Sequence, residues 1–331
     1  MRDTEWFAKC GWGVFCHYLT GPQTTADDWN RQVDAFDVAR LARQLQSVHA
    51  RYFFITIGQG SGHYCAPNET YDAIAGVRPS KCSKRDLVSD LYDALHPLGI
   101  DLLVYVPADG SWGDHDARKG LGMLNHWGDG GFSWGAGERW AQFRCVRFMQ
   151  NWEAICRDWS LRWGPKVRGW WIDGCYGAEY RYPENEEPNF RTYAAALRAG
   201  HPDAIIAFNP GVLTPVIHYT DHEDYTAGEI AEALPECKGP FVKGPSGHAA
   251  RYHILSYLGE FWCKGVPRFP DELVCGYTKH ITEKGGVLTW DVPILKTGLI
   301  PVPFIRQLNA IGESMRKLRK MPSNKPDAGH A

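Results

Sequence analysis

The stretch Val167-Arg168-Gly169-Trp170-Trp171-Ile172-Asp173-Gly174 decides how the rest of this 331-residue chain is read. A short apolar run carrying two indoles ends in a carboxylate and a glycine, the pattern of a buried strand whose C-terminal end opens into a loop. Taking an isolated carboxylate out of water is costly, so Asp173 at such a strand end needs hydrogen-bond partners or a wet cleft. In parallel α/β folds the chemistry sits at strand C-termini, where loops vary while the sheet holds them rigidly. Asp173 is therefore either a structural cap of the following turn or a catalytic carboxylate.

Working outward, apolar strand-like runs recur at 12–18, 52–57, 100–106, 167–172, 204–208 and 287–292, with less regular candidates at 224–230 and 259–262. Between them, helical spacing of apolar residues covers 35–48, 83–98, 139–161 and 189–199. Alternating strand and helix implies right-handed crossovers and a parallel sheet. Eight strands in a chain of this length predict a single α/β domain, a (β/α)8 TIM-type barrel over residues 1–320. The Gly- and Trp-rich stretch 108–137, with Trp112, Trp127 and Trp134, is too long for a simple connection and is expected to pack over the barrel mouth. The polar tail 321–331 is expected to be mobile.

Composition narrows the partners. A formal net charge of −2 with no long basic run leaves no electrostatic footprint for nucleic acid or an anionic membrane. The 14 Trp fit either carbohydrate stacking or core packing. The ten cysteines form no C-x-x-C pair, several lie inside apolar runs, and the pattern suits a reducing compartment. The chain enters its first element soon after Met1 without a signal-type or membrane-length apolar segment, which makes the cytoplasm the default, and the periplasm or exterior the alternative if a signal peptide has been removed.

The order of several motifs resembles the α-L-fucosidase family of glycoside hydrolases in its catalytic barrel. Trp6-Phe7 followed by Trp12-Gly13-Val14-Phe15-Cys16-His17-Tyr18 is similar to that family's first strand, and Thr70-Tyr71-Asp72, Lys84-Arg85-Asp86-Leu87-Val88 and Leu98-Gly99-Ile100-Asp101 to the approach to its third. Trp171-Ile172-Asp173-Gly174 stands where the family has Trp-Phe-Asp-Gly, with the aspartate as nucleophile. Asp224-Tyr225-Thr226-Ala227-Gly228-Glu229 is similar to an Asp-Phe-x-Thr-Pro-Glu segment. Lys284-Gly285-Gly286-Val287-Leu288 through Asp291-Val292-Pro293, with Ile311-Gly312-Glu313, is similar to the last strand and helix. The departures are Gly58-Gln59-Gly60 in place of Lys-His-His, with His63 close enough to replace one imidazole, Tyr18 in place of Trp, and Asn209-Pro210 where an arginine is often found. The family's usual C-terminal β-sandwich is absent from the sequence. The resemblance implies exo-acting, retaining hydrolysis of a terminal α-linked L-fucose-like sugar.

Such hydrolysis needs an anionic carboxylate beneath the anomeric carbon and a second carboxyl group to protonate the leaving oxygen. Asp173 suits the first role. Glu229 is the expected acid–base, Glu260 its strongest rival, and Glu179 and Asp291 weaker candidates. Trp171 alternates to the same side as Asp173 and is expected to flank the sugar. His17, Gln59, His63, Tyr105, Asn209 and Trp290 complete the expected substrate contacts. No His-x-His or His-x-x-x-His cluster stands at a strand end, so no metal is expected, and the chemistry requires no cofactor. The expected partner is an oligosaccharide or glycoside. A non-catalytic carbohydrate-binding barrel and a sugar isomerase or lyase on the same fold stay open.

Overall fold

The computed structural model describes residues 2–123, 144–244 and 246–320. Trp127, Trp134, the start of the helix expected over 139–161 and the 321–331 tail lie outside the described residues, as do the side chains of residues 178 and 179.

Five of the expected strands form in order as β1 (Trp12–Cys16), β2 (Tyr52–Thr56), β3 (Asp101–Pro107), β4 (Gly169–Asp173) and β5 (Ile205–Phe208). A small antiparallel pair, β6 (Phe241–Lys243) and β7 (Ala249–Arg251), precedes β8 (His253–Tyr257) and β9 (Val287–Asp291). Seven strands make one parallel sheet in the order β5-β4-β3-β2-β1-β9-β8. The strand expected at 259–262 is β8, displaced to 253–257; polar His253 and Ser256 interrupt its apolar pattern and hide it from a hydrophobicity reading.

Between the sheet's two edges lies 224–230, which forms no regular strand but bonds to both sides. Asp224 N–H donates to Ile206 O at 2.8 Å, Thr226 N–H to Arg251 O at 3.0 Å, and Ile230 N–H to Leu255 O at 3.0 Å. Gly228 makes the close approach possible: at φ 60°, an added Cβ would stand 1.9 Å from His253 O. The architecture is α/β with a seven-stranded parallel sheet, consistent with a TIM-type barrel.

Eleven α-helices are found among the described residues: α1 (Glu5–Cys10), α2 (Ala26–Asp34), α3 (Val38–Ser47), α4 (Glu69–Ala75), α5 (Leu87–Leu95), α6 (His115–Leu121), α7 (Val146–Trp163), α8 (Ala178–Arg181), α9 (Phe190–Leu197), α10 (Asp271–Glu283) and α11 (Val302–Lys320). Their starts are written in the sequence: Asp37, Asn68 and Asp86 accept from backbone N–H groups in the first turns of α3, α4 and α5, and Asn189 with Thr192 forms a reciprocal capping box on α9.

Strand alternation sorts the core into two layers. Phe15, Phe54, Leu103, Trp171, Ile205 and Leu255 fill the inside, while Val14, Ile55, Val104, Trp170, Ile206 and Trp290 face the helices. Gly169 keeps its inner position open, since a Cβ there would meet Leu103 Cδ2 at 2.7 Å and Ile205 Cγ1 at 2.8 Å. Among the described residues seven Trp are fully buried, and those of α7 anchor neighbouring backbone by donating from Trp152 to Pro107 O and from Trp159 to Pro67 O. These seven build the core and are unavailable to stack on sugars. No disulfide is found among the described residues.

Candidate active site

The inward alternation that fills the core continues past the last apolar residue of each strand and turns polar at the mouth. Phe15 is followed two residues on by His17, Leu103 by Tyr105, Trp171 by Asp173, Ala207 by Asn209, Ala227 by Glu229, and Thr289 by Asp291. A period of two thus delivers six polar side chains to one rim.

Four of them, Tyr105, Asp173, Asn209 and Glu229, form one bonded unit. Asp173 Oδ1 accepts from its neighbour Gly174 N–H at 2.8 Å and from Asn209 Nδ2 at 2.8 Å, and its Oδ2 accepts from the Tyr105 hydroxyl at 2.6 Å. The same Asn209 Nδ2 donates to Glu229 Oε2 at 2.6 Å. Gly211 N–H donates to Asn209 Oδ1 at 3.1 Å, which fixes the amide with its NH2 toward the carboxylates. Because one nitrogen reaches both, the two bonded oxygens lie no farther apart than the sum of the two bond lengths. Gln59 Nε2 in turn donates to the Tyr105 hydroxyl at 2.7 Å.

The electrostatics separate the two acids. Burial, followed by the nearby Asp173 charge, pushes the Glu229 carboxyl up to about 8, against the smaller opposing pull of the Asn209 bond. Asp173 is only half-buried and accepts from three donors. Burial and the Asp173 charge also push the Tyr105 phenol upward, so it stays a neutral donor. Tyr176 belongs to the same field: burial raises its phenol, and the charges of Asp173, Glu229 and Asp109 add to that.

On the β1 side, His17 Nδ1 lies 2.7 Å from Asp291 Oδ1, and Asp291 Oδ2 accepts from Cys263 N–H at 2.7 Å. Trp262 stands edge-on to His17 with ring centroids 6.0 Å apart. Beneath Gly174, buried Asp109 pairs with Arg181 Nη2 at 2.5 Å, and Arg181 Nη1 donates to Gly174 O at 2.8 Å. This pair clamps the turn that carries Asp173. Among the described residues no group of three His, Cys, Asp or Glu side chains converges as a metal site.

Several expected contacts sit elsewhere. Glu260 is exposed at the tip of the turn after β8, its side chain lying over Gly265, and no bond ties it to the Asp173 cluster. Trp290 is fully buried on the helix side and donates to Thr278 Oγ1 at 3.0 Å, because its neighbour Asp291 holds the inward position. Trp171 does face inward, but one layer below the mouth: it is 3% exposed, stacks on Tyr105 and donates to Ala227 O at 3.0 Å, so it supports the floor instead of flanking a sugar. His63 is buried edge-on to Trp29, where burial and then the Lys81 charge push its imidazole down to about 4, so it does not replace a mouth imidazole. The Glu179 side chain lies outside the described residues. Tyr176, Trp262 and Asp109 come from loops without periodicity, and Arg181 ends the short α8, so none was singled out by the sequence; the one available signal is their proximity to strand ends.

No family model matches the chain, and no curated protein matches it in sequence. Its fold does match solved structures. Endo-fucoidan hydrolase P5AFcnA of glycoside hydrolase family 107 aligns with a TM-score of 0.72 at 15% identity over 97% of this chain and 96% of that one. The α-L-fucosidase AlfC from Lactobacillus casei aligns with a TM-score of 0.64 at 15% identity over 96% and 100%. The α-L-fucosidase isoenzyme 1 from Paenibacillus thiaminolyticus gives 0.65 at 15% identity over 95% and 75%. The chain thus shares the fold of the fucosidase-like catalytic barrel.

Proposed function

We propose that this chain is a retaining glycoside hydrolase that removes a terminal α-linked L-fucose-like sugar from an oligosaccharide or glycoside, with Asp173 as nucleophile and Glu229 as acid–base. The observation that carries the reading is the single Asn209 amide bonded to both carboxylates. The limit it sets on the oxygen separation falls within the roughly 5–5.5 Å of retaining pairs and short of the roughly 6.5–9.5 Å that inverting enzymes leave for a water. The sheet is taken as a complete (β/α)8 barrel over 1–320 in which 224–230 serves as the sixth strand.

In the first step Asp173 attacks the anomeric carbon while protonated Glu229 gives its proton to the departing oxygen. Forming the ester removes the Asp173 charge, one of the two causes that raise Glu229, so its affinity for a proton falls. Glu229 then leaves the first step as a carboxylate suited to take a proton from water in the second. Tyr105, aligned by Gln59, steadies the nucleophile, and His17, aligned by Asp291, offers its Nε2 edge to a sugar hydroxyl. Trp262 supplies the apolar wall that Trp171 does not.

Hydrolysis of 4-nitrophenyl α-L-fucoside against a panel of other aryl glycosides tests the assignment: turnover of an α-L-fucoside, abolished in Asp173→Asn, is expected, and turnover confined to another sugar class overturns it. Endo-cleavage is the second reading, favoured by the fit to a protein named as an endo-fucoidan hydrolase. Sizing the products decides between them, since free monosaccharide marks exo action and oligomers mark endo action.

A further inference from the structure

The acid of a glycosidase faces the leaving oxygen, so whatever borders Glu229 on the solvent side borders the leaving group. Among the described residues, a segment held beside Glu229 is Asn209-Pro210-Gly211-Val212-Leu213-Thr214-Pro215-Val216-Ile217, nine residues with no formal charge. Leu213 N–H donates to Glu229 O at 3.4 Å, which holds this loop against the acid's own backbone. Gly211 passes directly over Tyr176, where an added Cβ would be 3.1 Å from the ring. Val212 and Leu213 then stand 51% and 39% exposed, although each is large and aliphatic. Among the described residues, Arg268 donates to Ala231 O, two residues past Glu229, and faces Glu232 at 3.7 Å. The opposite side of the mouth, with His17, Asp291 and Trp262, holds the polar groups suited to sugar hydroxyls.

We infer that the leaving-group side of this mouth is an apolar subsite, built by Val212 and Leu213 beside Glu229 and above Tyr176, which takes an alkyl or aryl aglycone and not a sulfated sugar. An anionic sulfate there would need a cation or several donors to replace its hydration, and the loop supplies neither. An apolar chain laid on exposed aliphatic side chains removes surface from water on both partners. The inference rests on Glu229 as the acid.

The test uses α-L-fucosyl fluoride and the ethyl, butyl and hexyl α-L-fucosides. The alcohols have nearly equal acidity, so differences among them report contact and not leaving-group chemistry; the fluoride needs no protonation and has no aglycone. Hydrolysis of the fluoride by the wild-type protein checks the underlying function. With the fluoride turned over, kcat/KM should rise about tenfold or more from ethyl to hexyl, less than full burial of each methylene would give because the groove is open. In Val212→Ser/Leu213→Ser the hexyl-to-ethyl ratio should fall to near one. A flat series in the wild type, or faster cleavage of a glycoside with a sulfated sugar as leaving group than of the hexyl compound, overturns the apolar subsite while the function stands. Failure to hydrolyse the fluoride overturns the function and the subsite with it.

Discussion

His17 Nδ1 stands 2.7 Å from Oδ1 of Asp291, a fully buried carboxylate whose other oxygen is held by Cys263 N–H. The carboxylate fixes the ring by accepting from Nδ1–H, which leaves Nε2 to face the mouth. Asp291→Ala should therefore raise KM more than it lowers kcat. It should also lower stability by about 1–3 kcal/mol, because two part-buried donors lose their acceptor. Asp291→Asn keeps the shape and should recover most of the stability while leaving KM raised. Steady-state kinetics with thermal melts of both variants check this; an unchanged KM in Asp291→Asn would make the carboxylate purely structural.

Asp173 is predicted to be dispensable for folding and indispensable for turnover. It is half-buried at the mouth, so Asp173→Ala should melt within a few degrees of wild type. Its kcat should fall at least about a thousandfold through loss of the covalent step. Added azide should restore part of the turnover and give a glycosyl azide of inverted configuration. Activity within about tenfold of wild type would return Asp173 to the role of a turn cap.

The sequence made the mouth legible to the extent that period-two alternation governs it. Asp173, Tyr105, Asn209 and His17 are legible as the ends of apolar strands, and in the structure each stands two residues beyond an inward apolar residue. Trp290 was misassigned against that same rule, since adjacent Asp291 already claimed the inward position. Glu260 stands as a rival to Glu229 in the sequence because a strand is expected at 259–262, six residues past the start of β8: its inward His253 looks unsuited to a core until its ring is seen bonded to Thr226 O at 2.9 Å and Thr289 Oγ1 at 2.7 Å. Such satisfaction comes from partners distant in sequence, which periodicity does not carry. The depth of Trp171 was likewise unreadable, because alternation gives the side of a strand but not the layer.

The Asp109–Arg181 pair should behave as a buried clamp. Arg181→Met leaves Asp109 buried without its cation and should destabilise by about 3–5 kcal/mol, whereas the double change Asp109→Leu/Arg181→Met should recover a large part of that loss. Because Arg181 also holds Gly174 O, the double variant should still show a reduced kcat from a loosened Asp173 turn. Denaturant melts of the two single variants and the double variant give the coupling; purely additive effects would mean that the pair does not act as a unit.

Asn209→Ala tests the bridge between the two acids. A positioned donor removed from a shielded site costs on the order of 10²-fold in kcat. The Asn209 bond favours the ionised form of Glu229, so its loss should raise that group further and move the basic limb of kcat/KM to higher pH. A basic limb that stays in place would separate Glu229 from the proton that the reaction uses.

Glu229 also links the reaction to stability. Its folded value of about 8 lies above the ordinary 4.5 of a glutamate, so between those values the native state keeps a proton that the unfolded chain has released. The stabilising contribution is complete below about pH 4.5 and is lost as pH rises through 8, where a buried charge must be held beside Asp173. Glu229→Gln carries no such proton. Its melting temperature should match wild type near pH 5 and exceed it by several degrees near pH 9, in thermal melts taken across that range. The same variant should lose far more activity on alkyl fucosides than on 4-nitrophenyl fucoside, because only the poorer leaving group needs protonation. A melting difference that does not change with pH, together with equal losses on both substrates, would remove Glu229 from the acid's role.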